Sequence, residues 1–169
     1  MELHVREQIY LSGPNGIFTF SAPRGAVLLL TGFPGLDSVQ RLHLYKAYSD
    51  VFDLRLFPNL KTLVIEEEER ISDMLSDLLS SPESSPPLGT LVLSECELSA
   101  DFLTKLENFV SKRISHKDSP LSRVVITAST DSELFKPLSA LKLYGQVKII
   151  PHESGLPSDL EKRSSYSYQ

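Results

Sequence analysis

Residues 88–98, with the sequence LGTLVLSECEL, set leucines at an uneven spacing and place the single cysteine of the chain among them. The segment fits the pattern L-x-x-L-x-L-x-x-N/C-x-L at every specified position. The opening of the same pattern recurs along the chain, at residues 39–44, 60–65, 121–126 and, more weakly, 144–149 and 3–5. Several matches in order, separated by helical patterns, indicate a fold built from repeated units.

The segments between these strand patterns have the apolar spacing of helices. Residues 71–80, ISDMLSDLLS, carry apolar side chains at positions i, i+3, i+4, i+7 and i+8. Residues 99–113 begin with a serine that is a natural N-cap and end with two basic residues that suit the negative end of the helix dipole. A further helix is expected to begin near Pro137 and to stop at Gly145, because proline breaks a helix interior. Residues 9–20 predict a hairpin that turns at residues 14–16.

These patterns predict an α/β leucine-rich-repeat solenoid, a short curved array with parallel strands on the concave face and helices and loops on the convex face. We expect about five to six irregular units over residues 1–151 and a flexible C-terminal tail at residues 152–169. The steps between corresponding strand positions, 39, 21, 28, 33 and 23 residues, are irregular. Cys96 is expected to be structural, because a small thiol can satisfy backbone groups at the sharp turn after a strand.

Composition narrows the setting in which the chain works. A formal net charge of −5 argues against binding to nucleic acid or to an acidic membrane, since both select a basic face. The longest apolar run, AVLLL at residues 26–30, is far shorter than the ~20 residues that cross a bilayer. One cysteine allows no intrachain disulfide and no Asn-x-Ser/Thr acceptor occurs, so a cytoplasmic or nuclear protein is expected.

The segment from residue 57 to residue 113, which carries the full repeat pattern and two of the helical patterns, resembles the leucine-rich-repeat portion of F-box-type and F-box-like proteins of fungi. The resemblance covers roughly residues 36–151. It implies a ubiquitin-ligase adaptor in which the repeats hold a target and an F-box helical segment docks onto the ligase scaffold. Met1 opens almost directly into a strand-like pattern, so we expect the target-holding part without the docking segment.

In such a solenoid, the side chains that flank the strand leucines face out of the concave sheet. We therefore predict a non-catalytic protein–protein interaction module that needs no cofactor and holds a protein partner on this face. The candidate partner-binding residues are Arg41, His43, Tyr45, Val64, Glu66, Val92 and Arg123. Arg41 and Tyr45 would be the anchors, because these residue types are enriched where binding energy is concentrated. The valines also have a purely structural explanation, since β-branched side chains suit a pleated sheet.

Two chemical sites are weaker alternatives. His4 and His43 would stand on adjacent rungs and could hold a metal ion, but no third ligand is apparent, and the acidic run at residues 66–69 is typical of a solvated turn. Residues 26–39, AVLLLTGFPGLDSV, have the strand, glycine loop and helix order of a nucleotide-binding enzyme. They contain Gly32 and Gly35 but lack the Lys-Ser/Thr of a P-loop and the third glycine of a dinucleotide site. No G-x-S-x-G, H-E-x-x-H or C-x-x-C motif occurs, so we expect neither a metal site nor an enzyme.

A truncated repeat fragment without autonomous activity is the remaining alternative. Leu3 and Val5 would form a first unit without an N-terminal cap, and no amphipathic capping helix follows YGQVKIIP at residues 144–151. Self-association through these uncapped end repeats would be the mark of such a fragment.

Overall fold

The fold of this chain belongs to the α/β class. In the computed structural model the described residues are 6–14, 16–23, 35–45, 53–67, 71–81, 86–115, 120–128 and 132–151. Their strands are β1 Arg6–Gly13, β2 Gly16–Pro23, β3 Arg41–Tyr45, β4 Thr62–Glu66, β5 Thr90–Ser94, β6 Arg123–Ala128 and β7 Val147–Pro151. Their helices are α1 Ile71–Met74, α2 Ser76–Ser80, α3 Ala100–Ile114 and α4 Ser132–Leu141. Two 3₁₀ turns, Leu36–Ser38 and Leu54–Leu56, precede β3 and β4.

All seven described strands belong to one sheet with the order β2-β1-β3-β4-β5-β6-β7. The strands from β3 to β7 are parallel and lie in chain order, so each new strand is added beside the last one. Corresponding positions of the repeat pattern pair directly, as when Leu63 of β4 lies between Leu42 of β3 and Leu91 of β5. The predicted run of parallel strands is therefore present from β3 onwards.

Apolar side chains on one face of this sheet pack against the helices. The inward strand residues are Leu42, Leu44, Leu63, Ile65, Leu91, Leu93, Val124 and Ile126, and all are buried in one cluster with residues of α1, α2, α3 and α4. The residues that open each pattern, Val39, Leu60, Leu88 and Leu121, belong to the same cluster. The apolar positions of the sequence pattern are therefore core positions between a sheet layer and a helix layer.

Backbone hydrogen bonds join the starts of successive parallel strands in a repeated way. One carbonyl before a strand accepts two consecutive N–H groups at the start of the next strand, at distances of 2.8–3.1 Å. The acceptors are Gln40, Lys61 and Gly89, and the donor pairs are residues 61–62, 89–90 and 122–123. β4, β5 and β6 are thus each fixed to the preceding unit by the same contact, although the number of residues between strands differs.

The chain leaves β4 and β5 by the same sharp turn. Glu67 and Glu95, the first residues after these strands, both have a φ of 53°, in the left-handed region that non-glycine residues seldom adopt. The half-buried thiol of Cys96 follows the second turn and donates to the carbonyls of Ile65 at 3.5 Å and Ser94 at 3.4 Å. These contacts confirm the structural role that the sequence predicts for the cysteine.

The helices largely follow the sequence. The pattern at residues 71–80 forms α1 and α2, which are separated at Leu75. Ser99 caps α3 as predicted, because its side-chain oxygen accepts the N–H of Phe102 at 3.1 Å. The predicted start of α4 near Pro137 is wrong, since the helix already begins at Ser132 and contains the proline. The proline removes a single helical hydrogen bond, while Leu138 and Leu141 remain buried in the core, so packing outweighs the local penalty.

The first described element is a hairpin, whereas the first predicted repeat unit, at residues 3–5, lies outside the described residues. The predicted hairpin forms, with Gly13 paired to Gly16, and its strand β1 lies antiparallel beside β3. A Cβ atom at Gly13 would collide with the carbonyl oxygen of Ser38, so the turn packs closely on the 3₁₀ segment before β3. β1 and β4 occupy the two edges of β3, so the register neighbours of His43 are Tyr10 and Val64.

Several predictions fall on residues outside the described ranges. These are the tail at residues 152–169, the apolar run at residues 26–30, Gly32 and residues 1–5. None of the helices in the described part of the chain has the length and apolar character that crossing a membrane requires.

Arg113 in the last turn of α3 is the largest fully buried side chain, with 2 % of its surface exposed. Its Nη2 donates to the carbonyl of Pro86 at 3.1 Å and lies 3.5 Å from that of Leu88, and its own carbonyl accepts the N–H of Leu121. Burial lowers the pKa of this guanidinium from its usual value. The side chain therefore holds a charge in the core in order to join α3 to the segment that leads into β5.

We expect Arg113→Ala to lower the free energy of unfolding by about 3 kcal/mol, because it leaves a cavity and removes charged donors from two carbonyls. The matched control is Lys112→Ala, an exposed neighbour, which should change stability by less than about 0.5 kcal/mol. Urea titration followed by circular dichroism measures both. Equal effects of the two substitutions would contradict the structural role of Arg113.

Candidate functional site

The candidate site is the face of the sheet on which none of the described helices packs, called here the helix-free face. Strand residues that alternate with the core positions point to it, and they align in three rows across the sheet. The rows are Arg41, Thr62, Thr90 and Arg123; His43, Val64, Val92, Val125 and Lys148; and Tyr45, Glu66 and Ser94. All seven sequence-predicted binding residues therefore lie on one face, in the predicted register.

A polar and aromatic patch occupies the β3 and β4 side of this face. His43 Nε2 lies 2.8 Å from Glu66 Oε2, and the two side chains are 14 % and 19 % exposed. The hydroxyl of Tyr45 donates to Glu67 Oε1 at 3.0 Å. We call these four residues the β3–β4 patch. Glu67 is the member that the sequence-predicted set omits, and it lies in the left-handed turn directly after β4.

The other predicted residues do not all join this patch. Arg41 lies on β3 but at the opposite end of the strand, in the first row, where it is half-buried. Arg123 is on β6, three strand spacings or about 15 Å from β3. The sequence-predicted site is therefore one compact patch with two arginines at a distance from it.

The central valines are not presented to solvent, which corrects the expectation of an open sheet face. Val92 and Val125 are 0 % exposed and Val64 is 3 % exposed, and with Ile150 they form a second apolar cluster separate from the helix-side core. We call these four residues the valine column. Because α1 to α4 pack on the opposite face, the described helices do not account for this burial. Val64 and Val92 are therefore buried structural residues, in agreement with the explanation that β-branched side chains suit a pleated sheet.

Buried hydroxyl groups border the valine column at the carboxyl ends of β5 and β6. Thr127 Oγ1 accepts the N–H of Glu95 at 2.9 Å and lies 3.2 Å from Ser94 Oγ. It also lies 3.5 Å from the carbonyl of Leu93, so it can donate there. The threonine hydroxyl thus satisfies the backbone at the turn after β5, which is a structural use of the polar side chains here.

The geometry of the described residues does not support the alternative metal and nucleotide-binding sites. Within the described ranges, no group of three or more His, Cys, Asp or Glu side chains is placed to hold a metal ion. Gly35, with a φ of 90°, precedes the three-residue 3₁₀ turn Leu36–Ser38. A phosphate site of the nucleotide-binding type uses the N-terminus of an α-helix, and this segment does not supply one.

Comparisons with protein-family models, with curated proteins and with solved structures found no match to this chain. The helix-free face therefore has to be interpreted from its own geometry: a half-buried acidic and aromatic patch beside a fully buried apolar column. The resemblance to F-box-type proteins remains a prediction.

Burial of the valine column leads to a sharp expectation for stability. Val92→Asp should lower the free energy of unfolding by more than about 3 kcal/mol, because it buries a carboxylate among apolar side chains. Lys148→Asp is the matched control, since it introduces the same side chain on the same face at an exposed position, and it should cost less than about 0.5 kcal/mol. Thermal and urea unfolding measure both. Similar small effects would mean that the column is open to water.

Proposed function

We propose that the chain is a short leucine-rich-repeat solenoid and that it works by binding a protein partner on the helix-free face, without catalysis. Two structural features support the solenoid. The pattern leucines are aligned from strand to strand, and the same carbonyl-to-N–H contact joins β4, β5 and β6 to their preceding units despite different unit lengths. The hairpin of β1 and β2 then takes the place of a first repeat at the edge of β3.

The β3–β4 patch is the observation that carries the proposed binding function. It combines an aromatic hydroxyl, an imidazole and two carboxylates on one face, at the side of the sheet that the helices leave free. Half-buried side chains of these types suit a protein interface because they are already held in place by mutual hydrogen bonds, so little freedom is lost on binding. Arg41 extends the surface along β3.

A narrower version of this proposal is the target-holding role in a ubiquitin-ligase adaptor. Its support is the sequence resemblance over roughly residues 36–151. Ligase scaffold subunits among the proteins captured from a eukaryotic lysate would support this narrower role.

Capture with the unaltered chain and with Arg41→Glu/Tyr45→Ala tests the proposed function. A genuine partner should fall by about tenfold or more in the double variant, because the loss of two anchors exceeds about 1.4 kcal/mol. The matched control is Lys112→Glu/Asn108→Ala, which makes the same kinds of change on the exposed side of α3 and should leave the partner unchanged. Mass spectrometry quantifies the captured proteins.

The unfolding midpoint of each variant has to be measured beside the capture. We expect both double variants to stay folded, because the altered side chains lie outside the helix-side core. Identical capture by all three proteins, or capture of chaperones alone, would overturn the binding function and favour a repeat fragment without activity of its own.

A further inference from the structure

We propose that two copies of this chain associate through the outer edge of β2, which pairs antiparallel with β2 of the second copy and so continues the sheet. The described sheet ends in β2 on one side and in β7 on the other. An outer strand carries backbone N–H and C=O groups that a further strand can bind. The hairpin of β1 and β2 closes the run of parallel strands at β3 and makes β2 the last described strand on that side. This association does not rest on the proposed binding function.

The hydrogen bonds of β1 show which backbone groups of β2 point outward. The carbonyl of Ser12 accepts the N–H of Gln40 at 2.9 Å, so the backbone groups of Ser12 face β3. Because this direction alternates along a strand, those of Gly13 face β2, and those of its register partner Gly16 face β1. By the same alternation, every second residue of β2 directs its N–H and C=O groups away from β1. The residues with outward groups are Ile17, Thr19 and Ser21.

The sequence of β2 lacks the features that keep a strand edge from pairing. No charged residue occurs from Gly16 to Pro23, and the proline is the last residue, beyond the three outward residues. The strand β7 at the other end of the sheet is a poorer template. It has five residues against eight in β2, it carries the exposed Lys148, and it ends at Pro151, which has no N–H. Of the two outer strands, β2 is therefore the one that suits a further strand.

The order of residues in β2 favours a second copy as the occupant of this edge. Antiparallel pairing about a twofold axis through Thr19 places Ile17 opposite Ser21 of the second copy and Thr19 opposite Thr19. All three outward residues of each strand then exchange hydrogen bonds with the other strand. The same register places Phe18 opposite Phe20 of the second copy. Aromatic pairs and threonine pairs across strands are stabilising, and two uncharged strands do not repel each other.

The association state of the full chain tests this pairing. Because the contact involves a single strand edge, we expect a weak dimer whose share rises with protein concentration up to about 1 mM. Thr19→Lys places two like charges opposite each other at the twofold axis and should raise the dimer dissociation constant about tenfold or more. The matched control is Thr104→Lys, the same substitution on the exposed side of α3, which should leave the constant unchanged. Sedimentation equilibrium measures all three proteins.

Disulfide trapping tests the register separately. In a Cys96→Ser background, Thr19→Cys places two thiols opposite each other with Cα atoms about 5.5 Å apart, which is within the range of a disulfide. The thiols of an Ile17→Cys pair are displaced by four residues, about 13 Å along the strands. Oxidation by copper phenanthroline should therefore link the Thr19→Cys chains at least about tenfold faster than the Ile17→Cys chains, as measured on non-reducing gels.

Three results would overturn the pairing: a monomer at every concentration, an association that Thr19→Lys and Thr104→Lys affect to the same extent, or equal trapping at positions 17 and 19. A monomer would leave the edge of β2 to a strand of a different protein, whereas an association that Thr19→Lys does not weaken would place the contact on another surface. Ser21→Lys, at the next outward residue, is the second variant if Thr19→Lys lowers the unfolding midpoint, and it should weaken the dimer in the same way.

Discussion

Packing of one face of the parallel sheet against its returning segments is the constraint on which the rest of the structure depends. A parallel strand can follow another only after a crossover, and from β3 to β7 the described part of every crossover contributes to the same apolar cluster. Because all crossovers return on one side, each strand is added in the same direction. The side chains at alternate positions are then forced to the other side, which defines the helix-free face before any functional residue is considered.

The sequence pattern predicts this layer well because its signal is physical and redundant. Leucines at fixed intervals mark positions that must be buried, and Ser99 and the stripe of α3 mark a helix start and its apolar side. The hairpin signal of twelve residues at 9–20 is confirmed by β1 and β2, whereas the two-residue match at Leu3 and Val5 lies outside the described residues. The hairpin takes the edge of β3, since antiparallel pairing across a tight turn needs no crossover. At Pro137 the local signal is misleading, because tertiary packing keeps the helix α4 intact although proline disfavours a helix interior.

The sequence contains a signal for the burial of the valine column. In β4, β5 and β6 three consecutive apolar residues lie at the centre of each strand, as in Leu91-Val92-Leu93. A parallel strand that is buried on both faces shows this continuous apolar run, whereas a strand with one wet face alternates. Polar residues follow these runs directly, as with Glu66 and Ser94. In the structure they belong to the carboxyl edge of the sheet, where the β3–β4 patch and the Ser94–Thr127 pair lie.

Burial on both faces limits how a partner can use this sheet. Uncovering a valine side chain costs about 1.5 kcal/mol or more, so exposing the column of Val64, Val92 and Val125 would remove several kcal/mol from the stability of the chain. A partner confined to the β3–β4 patch would leave the column covered and would bind a surface that is already organised by hydrogen bonds. A partner that extends across β5 would have to expose the valine column and bury it again under apolar surface of its own, and its apparent affinity would be multiplied by the fraction of molecules in which the column is exposed. The same sheet therefore favours contact at its polar edge and makes contact at its apolar centre conditional on exposure of the valine column.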